Sequence, residues 1–181
     1  MKAFALIVLF ALLSGASAEG ADQLLSVGPR LQKSVGLYWE NGIAVEYSNS
    51  KLWDGRLSFG VTILSSRLGS AFHSNAVKQE EYLLSAAAVF RQEHLIRPLV
   101  KMHLGWFHAD YEVELFDDLP NSSFLWSLTG GLQIRPHIPA VLELGLGYNL
   151  ITGNGVSGPG TLYPLFYQIT LSWVILGGGR P

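Results

Sequence analysis

Between Leu142 and Asn149 the chain reads Leu-Glu-Leu-Gly-Leu-Gly-Tyr-Asn. Leu142, Leu144, Leu146 and Tyr148 alternate with Glu143, Gly145, Gly147 and Asn149. Successive side chains of a β-strand point to opposite faces, so this spacing predicts a strand with one apolar face and one polar or bare face. The same alternation recurs in eight segments: Leu24 to Gln32, a stretch holding Ile43, Val45 and Tyr47, Arg56 to Leu68, Glu80 to Arg91, Leu99 to Val113, Ser122 to Ile134, Ala140 to Asn149, and Tyr163 to Leu176. Lys33 to Gly42 fits the end of the first segment, the start of the second, or a loop between them. In the fifth segment the parity blurs at Phe107, which suggests a β-bulge there.

The connections differ in character. Asn49 to Gly55, His94 to Pro98 and Arg135 to Pro139 are short and carry proline or Asp-Gly turn signals. The stretches 69–79, 115–121 and 151–162 are longer or richer in turn formers. Short turns at one end and long loops at the other predict an all-β, closed, antiparallel up-and-down transmembrane β-barrel of eight strands.

The chain's start adds a second signal. Lys2 is followed by an uncharged apolar run, Ala3 to Leu13, and then by Ala16-Ser17-Ala18. This pattern predicts a cleaved signal peptide over 1–18, with 19–181 as a single barrel domain. The apolar run is too short to span a bilayer as a helix, which takes about twenty residues. The formal charge is −2, and loss of Lys2 leaves −3. That is too little basic charge for nucleic-acid binding. There is no cysteine, hence no disulfide and no thiolate metal site.

Alternation alone fits either a membrane barrel or a soluble, lipocalin-like periplasmic barrel that binds an apolar ligand. Composition separates them. Hydrophobic residues make up 49% of the chain and charged residues 14%, against about a quarter in soluble domains. A water-facing exterior needs more charge. The polar faces also carry small Gly, Ala, Ser and Thr, which suit a cramped interior. Arg30, Glu46, Arg56, Arg91, Lys101, His103 and Glu143 fall on the polar faces and are expected to form an interior polar network. Glu143 needs an Arg or Lys partner there, because an unpaired buried charge is costly. Tyr47, Trp106, Trp126, Tyr148, Tyr163, Tyr167 and Trp173 lie near segment ends, where amphipathic rings form interfacial girdles.

On its signal peptide, strand count, turn–loop asymmetry and aromatic-rich final strand, the chain resembles the small eight-stranded outer-membrane β-barrel proteins of Gram-negative bacteria. The resemblance implies outer-membrane lipids and lipopolysaccharide as surroundings, handling by the barrel assembly machinery, and ligand contact through loops 69–79, 115–121 and 151–162. It implies no cofactor and no nucleic-acid partner. Members typically end on an aromatic residue; here Trp173-Val174-Ile175-Leu176 is followed by Gly-Gly-Gly-Arg-Pro.

Some barrels of this size remodel lipid A with a Ser/His pair, and the nearest candidates are His73 and Ser74. They are adjacent, so on a strand they point to opposite faces, and a general base must reach its hydroxyl. A lipid-modifying enzyme is therefore the alternative and not the main reading. His103 and His108 are likewise on opposite faces, and His94 and His137 lie in separate turns. No metal site is expected from these histidines, because zinc takes at least three protein ligands. The expected function is structural or surface interaction by a barrel with a filled polar interior, not a general porin.

Overall fold

The computed structural model describes residues 23–34, 39–66, 77–111, 121–152 and 164–177. These residues form eight strands: β1 (Gln23–Ser34), β2 (Trp39–Asn49), β3 (Leu57–Ser65), β4 (Val77–Val89), β5 (Ile96–Tyr111), β6 (Ser122–Ile134), β7 (Ala140–Thr152) and β8 (Leu165–Leu176). Each pairs antiparallel with its sequence neighbours, and β1 pairs with β8, so the sheet closes into a barrel. Closure removes the free edges that an open sheet of this apolar content would expose.

The strand ends show where sequence periodicity misleads. The ambiguous stretch Lys33 to Gly42 is divided: β1 runs on to Ser34 and β2 begins at Trp39. The bulge expected at Phe107 is absent. Glu81 opposes Phe107 and Phe107 opposes Ser123 in unbroken registers. Phe107 simply keeps the inward parity of β5 and is buried beside the small Ser123. The register instead shifts in the β1–β8 seam, between Leu25 and Ser26.

Three short connections, residues 50–56, 90–95 and 135–139, gather at one end, here called the turn end. They are tied to one another. The Val89 amide donates to the Arg56 carbonyl (2.8 Å), the Arg135 amide to Leu95 (3.0 Å), and the Gln92 side chain to the Gly55 carbonyl. Trp53, Asp54 and Gly55 all have positive φ and turn the chain sharply between β2 and β3. The opposite, loop end carries residues 35–38, 67–76, 112–120 and 153–163, which lie outside the described residues, as does the expected signal peptide.

Burial is inverted relative to a water-soluble domain. Ile43 is 60% exposed, Leu146 56% and Leu171 52%, whereas Arg30 and Lys101 are each 2% exposed and His103 is fully enclosed. Apolar side chains thus cover the outside, and the bore holds polar and charged side chains together with a smaller apolar set. Inward small residues make the filling fit. Gly147 lies under the Phe166 ring, where an added Cβ would sit 2.2 Å from the ring carbon Cζ. That contact is impossible, so the bare backbone at 147 is the space the ring occupies.

Candidate functional site

The bore is organised in layers that can be followed along β5, whose inward positions run Arg97, Leu99, Lys101, His103, Gly105 and Phe107 from the turn end toward the loop end. Lys101 is the centre of the first ionic cluster. Its ammonium donates to Glu46 on β2 and Glu143 on β7, crossing the barrel from both sides. The Gln133 amide on β6 donates to the other Glu143 oxygen at 3.1 Å. Two carboxylates sharing one cation leave this cluster with a formal charge of about −1, so it attracts further positive charge within the low-dielectric bore.

Arg30 on β1 supplies that charge from the adjoining layer. It donates to Gln32 (2.6 Å), and its Nε has no hydrogen-bond partner among the described residues. From Gln32 a second cluster runs toward the loop end. Gln32 donates to Glu40 (2.9 Å), and Gln79 bridges Glu40 (3.3 Å) and Glu81 (2.7 Å). Leu64 and Phe107 lie opposite Glu81 in the strand registers, and Leu125 and Phe166 are likewise nearly or fully buried. His103 lies on β5 one inward position beyond Lys101, and neither of its ring nitrogens has a hydrogen-bond partner. This bore is obstructed from side to side by paired charge and by aromatic rings.

Among the network residues read from the sequence, Lys101, Glu46 and Glu143 come together, Arg30 lies in the next layer, and His103 is buried on β5. Arg56 and Arg91 differ. Both are exposed, in the turns after β2 and β4. The strands stop short of them: Arg91 has a φ of 54° and leaves the sheet, and Arg56 sits over the Trp53 ring at 5.9 Å. Glu40, Glu81 and Gln79 were not singled out by the sequence. Glu40 fell in the ambiguous stretch, but the parity of β4 from Ser85 and Ala87 backwards reaches Glu81 and Gln79 and was the available signal.

The outer surface has its own order. Outward positions bear formal charge only near the loop end, at Lys33, Glu80 and Asp110 among the described side chains. Near that end Trp106 opposes Tyr82, Trp39 meets Tyr167 edge to face at 5.7 Å, and Lys33 lies over Trp39 at 5.2 Å. The Tyr82 hydroxyl donates to Glu80 at 2.9 Å. Trp126 and Tyr148 stand on the same half of the barrel. Tyr47 and Trp173 stand at the turn end, where Asn49 donates to the Tyr47 hydroxyl (3.1 Å) and Trp53 meets Phe90 edge to face. Tyr163 lies outside the described residues.

At the turn end the bore widens into a cup of about 630 Å3. Glu46, Ser26, Ser58 and Gln133 form its floor, and the three turns form its rim. Arg97, Arg135, His94 and His137 line it. The Arg97 Nε donates to the His94 carbonyl at 2.9 Å, while the Arg135 guanidinium has no hydrogen-bond partner among the described residues. Partial burial lowers the Arg135 pKa from its usual value, which still leaves an arginine charged.

No three His, Asp or Glu side chains gather as a metal site among the described residues. The catalytic candidates His73 and Ser74 lie outside the described residues.

The sequence matches no family model and no curated protein. Solved structures are similar in fold. The N-terminal β-barrel domain of Pseudomonas aeruginosa OprF aligns with a TM-score of 0.59 at 11% identity, over 87% of this chain and 100% of that one. Neisserial surface protein A (NspA) aligns with a TM-score of 0.53 at 14% identity, over 86% and 96%. Ail, the attachment invasion locus protein of Yersinia pestis, aligns at 15% identity over 84% and 96%, with a TM-score of 0.45. The chain has the closed eight-stranded fold of small outer-membrane β-barrels.

Proposed function

We propose that the chain is an integral outer-membrane barrel with a structural or surface-contact role, and that it is not a general porin. The observation that carries this reading is the inverted burial: an uncharged apolar belt outside and ion-paired side chains inside. Exposing that belt to water would expose large apolar area continuously around the barrel, far beyond the few hundred Å2 patches of soluble monomers. Hydrocarbon is the solvent that such a surface suits, and a closed sheet satisfies its backbone without water. The aromatic residues toward both ends support the reading, since amphipathic rings favour membrane interfaces.

In this reading the turn end faces the periplasm and the loop end the exterior, the usual arrangement of such barrels. The connections after β3, β5 and β7 are then the surfaces that meet lipopolysaccharide or an extracellular ligand, and the barrel assembly machinery inserts the chain; of the stretches read as loops 69–79, 115–121 and 151–162, residues 77–79 belong to β4 and 151–152 to β7. The obstructed bore argues against bulk solute passage.

Two measurements test the reading. Cell fractionation followed by an unboiled and a boiled SDS gel should place the chain in the outer membrane as a compact, heat-modifiable band. Planar-bilayer recordings should give no conductance of porin size. A chain recovered in the soluble fraction without detergent, or steady porin-sized steps, would overturn it.

A further inference from the structure

We propose that the cup at the turn end binds a short peptide through its free carboxylate, with Arg97 and Arg135 holding the two oxygens. The inference rests on the turn end facing the periplasm. The cup's size, about 630 Å3, falls in the range of about 300–1,000 Å3 typical of small-ligand sites.

Its charge selects an anion. Arg97 and Arg135 both line it, and the Arg135 fork is uncommitted. Arg97 spends only its Nε on the His94 carbonyl, which leaves its terminal nitrogens. Of the acids in the lining, Glu46 is already engaged by Lys101, so Glu93 alone opposes the two guanidiniums. A planar guanidinium matches a carboxylate in a two-pronged hydrogen bond, which a lysine cannot reproduce.

The rest of the lining selects a peptide over a bare ion. Val89, Val141 and Val174 supply small apolar walls, and Ser26, Ser48 and Ser58 supply hydroxyls for amide groups. An inorganic anion would leave most of this cup unfilled. A membrane phospholipid is disfavoured by position, since apart from the outward Tyr47 at its edge most of the lining is inward side chains and turn residues, while the lipid leaflet lies outside the wall. The rim is also held in place before any ligand arrives. The Arg135 amide is bonded to Leu95 and the Val174 amide to Pro139 (2.9 Å), so little ordering is needed on binding.

The test is calorimetric titration of the folded, detergent-solubilised chain with tri-alanine, with tri-alanine C-terminal amide, and with inorganic phosphate. Saturable binding of the acid, at least about tenfold tighter than the amide, is expected, since hydrogen bonds to charged groups contribute on the order of a factor of ten or more. Arg97→Gln and Arg135→Gln should each weaken the acid by about tenfold. Arg91→Gln, on the same end but outside the cup, should leave it unchanged. Each variant is first checked for the heat-modifiable band, and the acid–amide comparison on the unaltered chain needs no variant. Equal affinity for acid and amide, no saturable binding of the acid, or phosphate binding as tightly with the same arginine dependence would each overturn the proposal. Recovery of the chain in the soluble fraction would sink the membrane reading separately and leave the acid–amide result standing.

Discussion

Lys101→Met removes the cation that two buried carboxylates share. The side chains of Lys101 and Glu143 are 2% and 4% exposed, and that of Glu46 is 13% exposed. Removing one partner of a buried ion pair typically costs about 3–5 kcal/mol, because the other charge is left uncompensated. Here the two acids respond differently. Glu46 lines the cup and can turn toward its water, so its share of the loss is small. Glu143 is deeper and keeps only the Gln133 amide. The expected loss is therefore about 3 kcal/mol, at the low end of that range. Urea unfolding of the barrel in lipid vesicles, followed by tryptophan fluorescence and by the unboiled gel band, measures it. Methionine has nearly the length of lysine, so packing is retained and charge is the variable. The triple variant Lys101→Met/Glu46→Gln/Glu143→Gln should recover most of the loss. If Lys101→Met unfolds within about 0.5 kcal/mol of the parent, which is the level of an ordinary surface change, the cluster does not hold the bore together and the layered account fails.

Leu146→Arg, on the outward face of β7, should destabilise the barrel in vesicles by about 2–4 kcal/mol; a soluble barrel would tolerate or welcome the change, and equal stability would contradict the lipid-facing assignment. Gly147→Val should cost about 1–3 kcal/mol by driving a side chain into the Phe166 ring, and Phe166→Ala in the same chain should return part of it, as a double-mutant cycle of unfolding midpoints would show. Arg56→Ala and Arg91→Ala should each change the unfolding free energy by no more than about 0.5 kcal/mol, whereas Arg30→Ala should cost clearly more, a ranking that the same urea series reads out.

The placement of Glu143 illustrates what the chain's spelling reveals and what it hides. Its inward direction follows from two-residue alternation, and its need for a cation follows from burial. The identity of that cation does not, because Lys101 lies on β5, two strands away around the barrel, and reaches it across the bore. Alternation fixes a face; it contains no information about distance through the interior. Arg56 and Arg91 fail for the complementary reason. Extending the parity past a strand's last paired residue assumes an extended backbone, and the left-handed residues Trp53, Asp54 and Arg91 end that condition. Phe107 misled through its chemistry. A large aromatic on a polar face reads as an irregularity until the small Ser123 beside it is known. The cup was invisible to the sequence, since it is made by three turns meeting across the mouth.

The seam between β1 and β8 joins the first and last strands, with partners such as Arg30 and Thr170 far apart along the chain. Every other strand pair can zip from a local turn or loop, but this one forms only after the whole sheet exists. The barrel therefore passes through a stage with two unsatisfied edges, and the rate of its final step is governed by a search over the full length of the polypeptide. The irregular register at Leu25 and Ser26 lies on that same line. A permuted chain with its natural ends linked and new ends opened in a loop would move the late-closing seam elsewhere while keeping every interior pair, separating the kinetics of closure from the stability of what is enclosed.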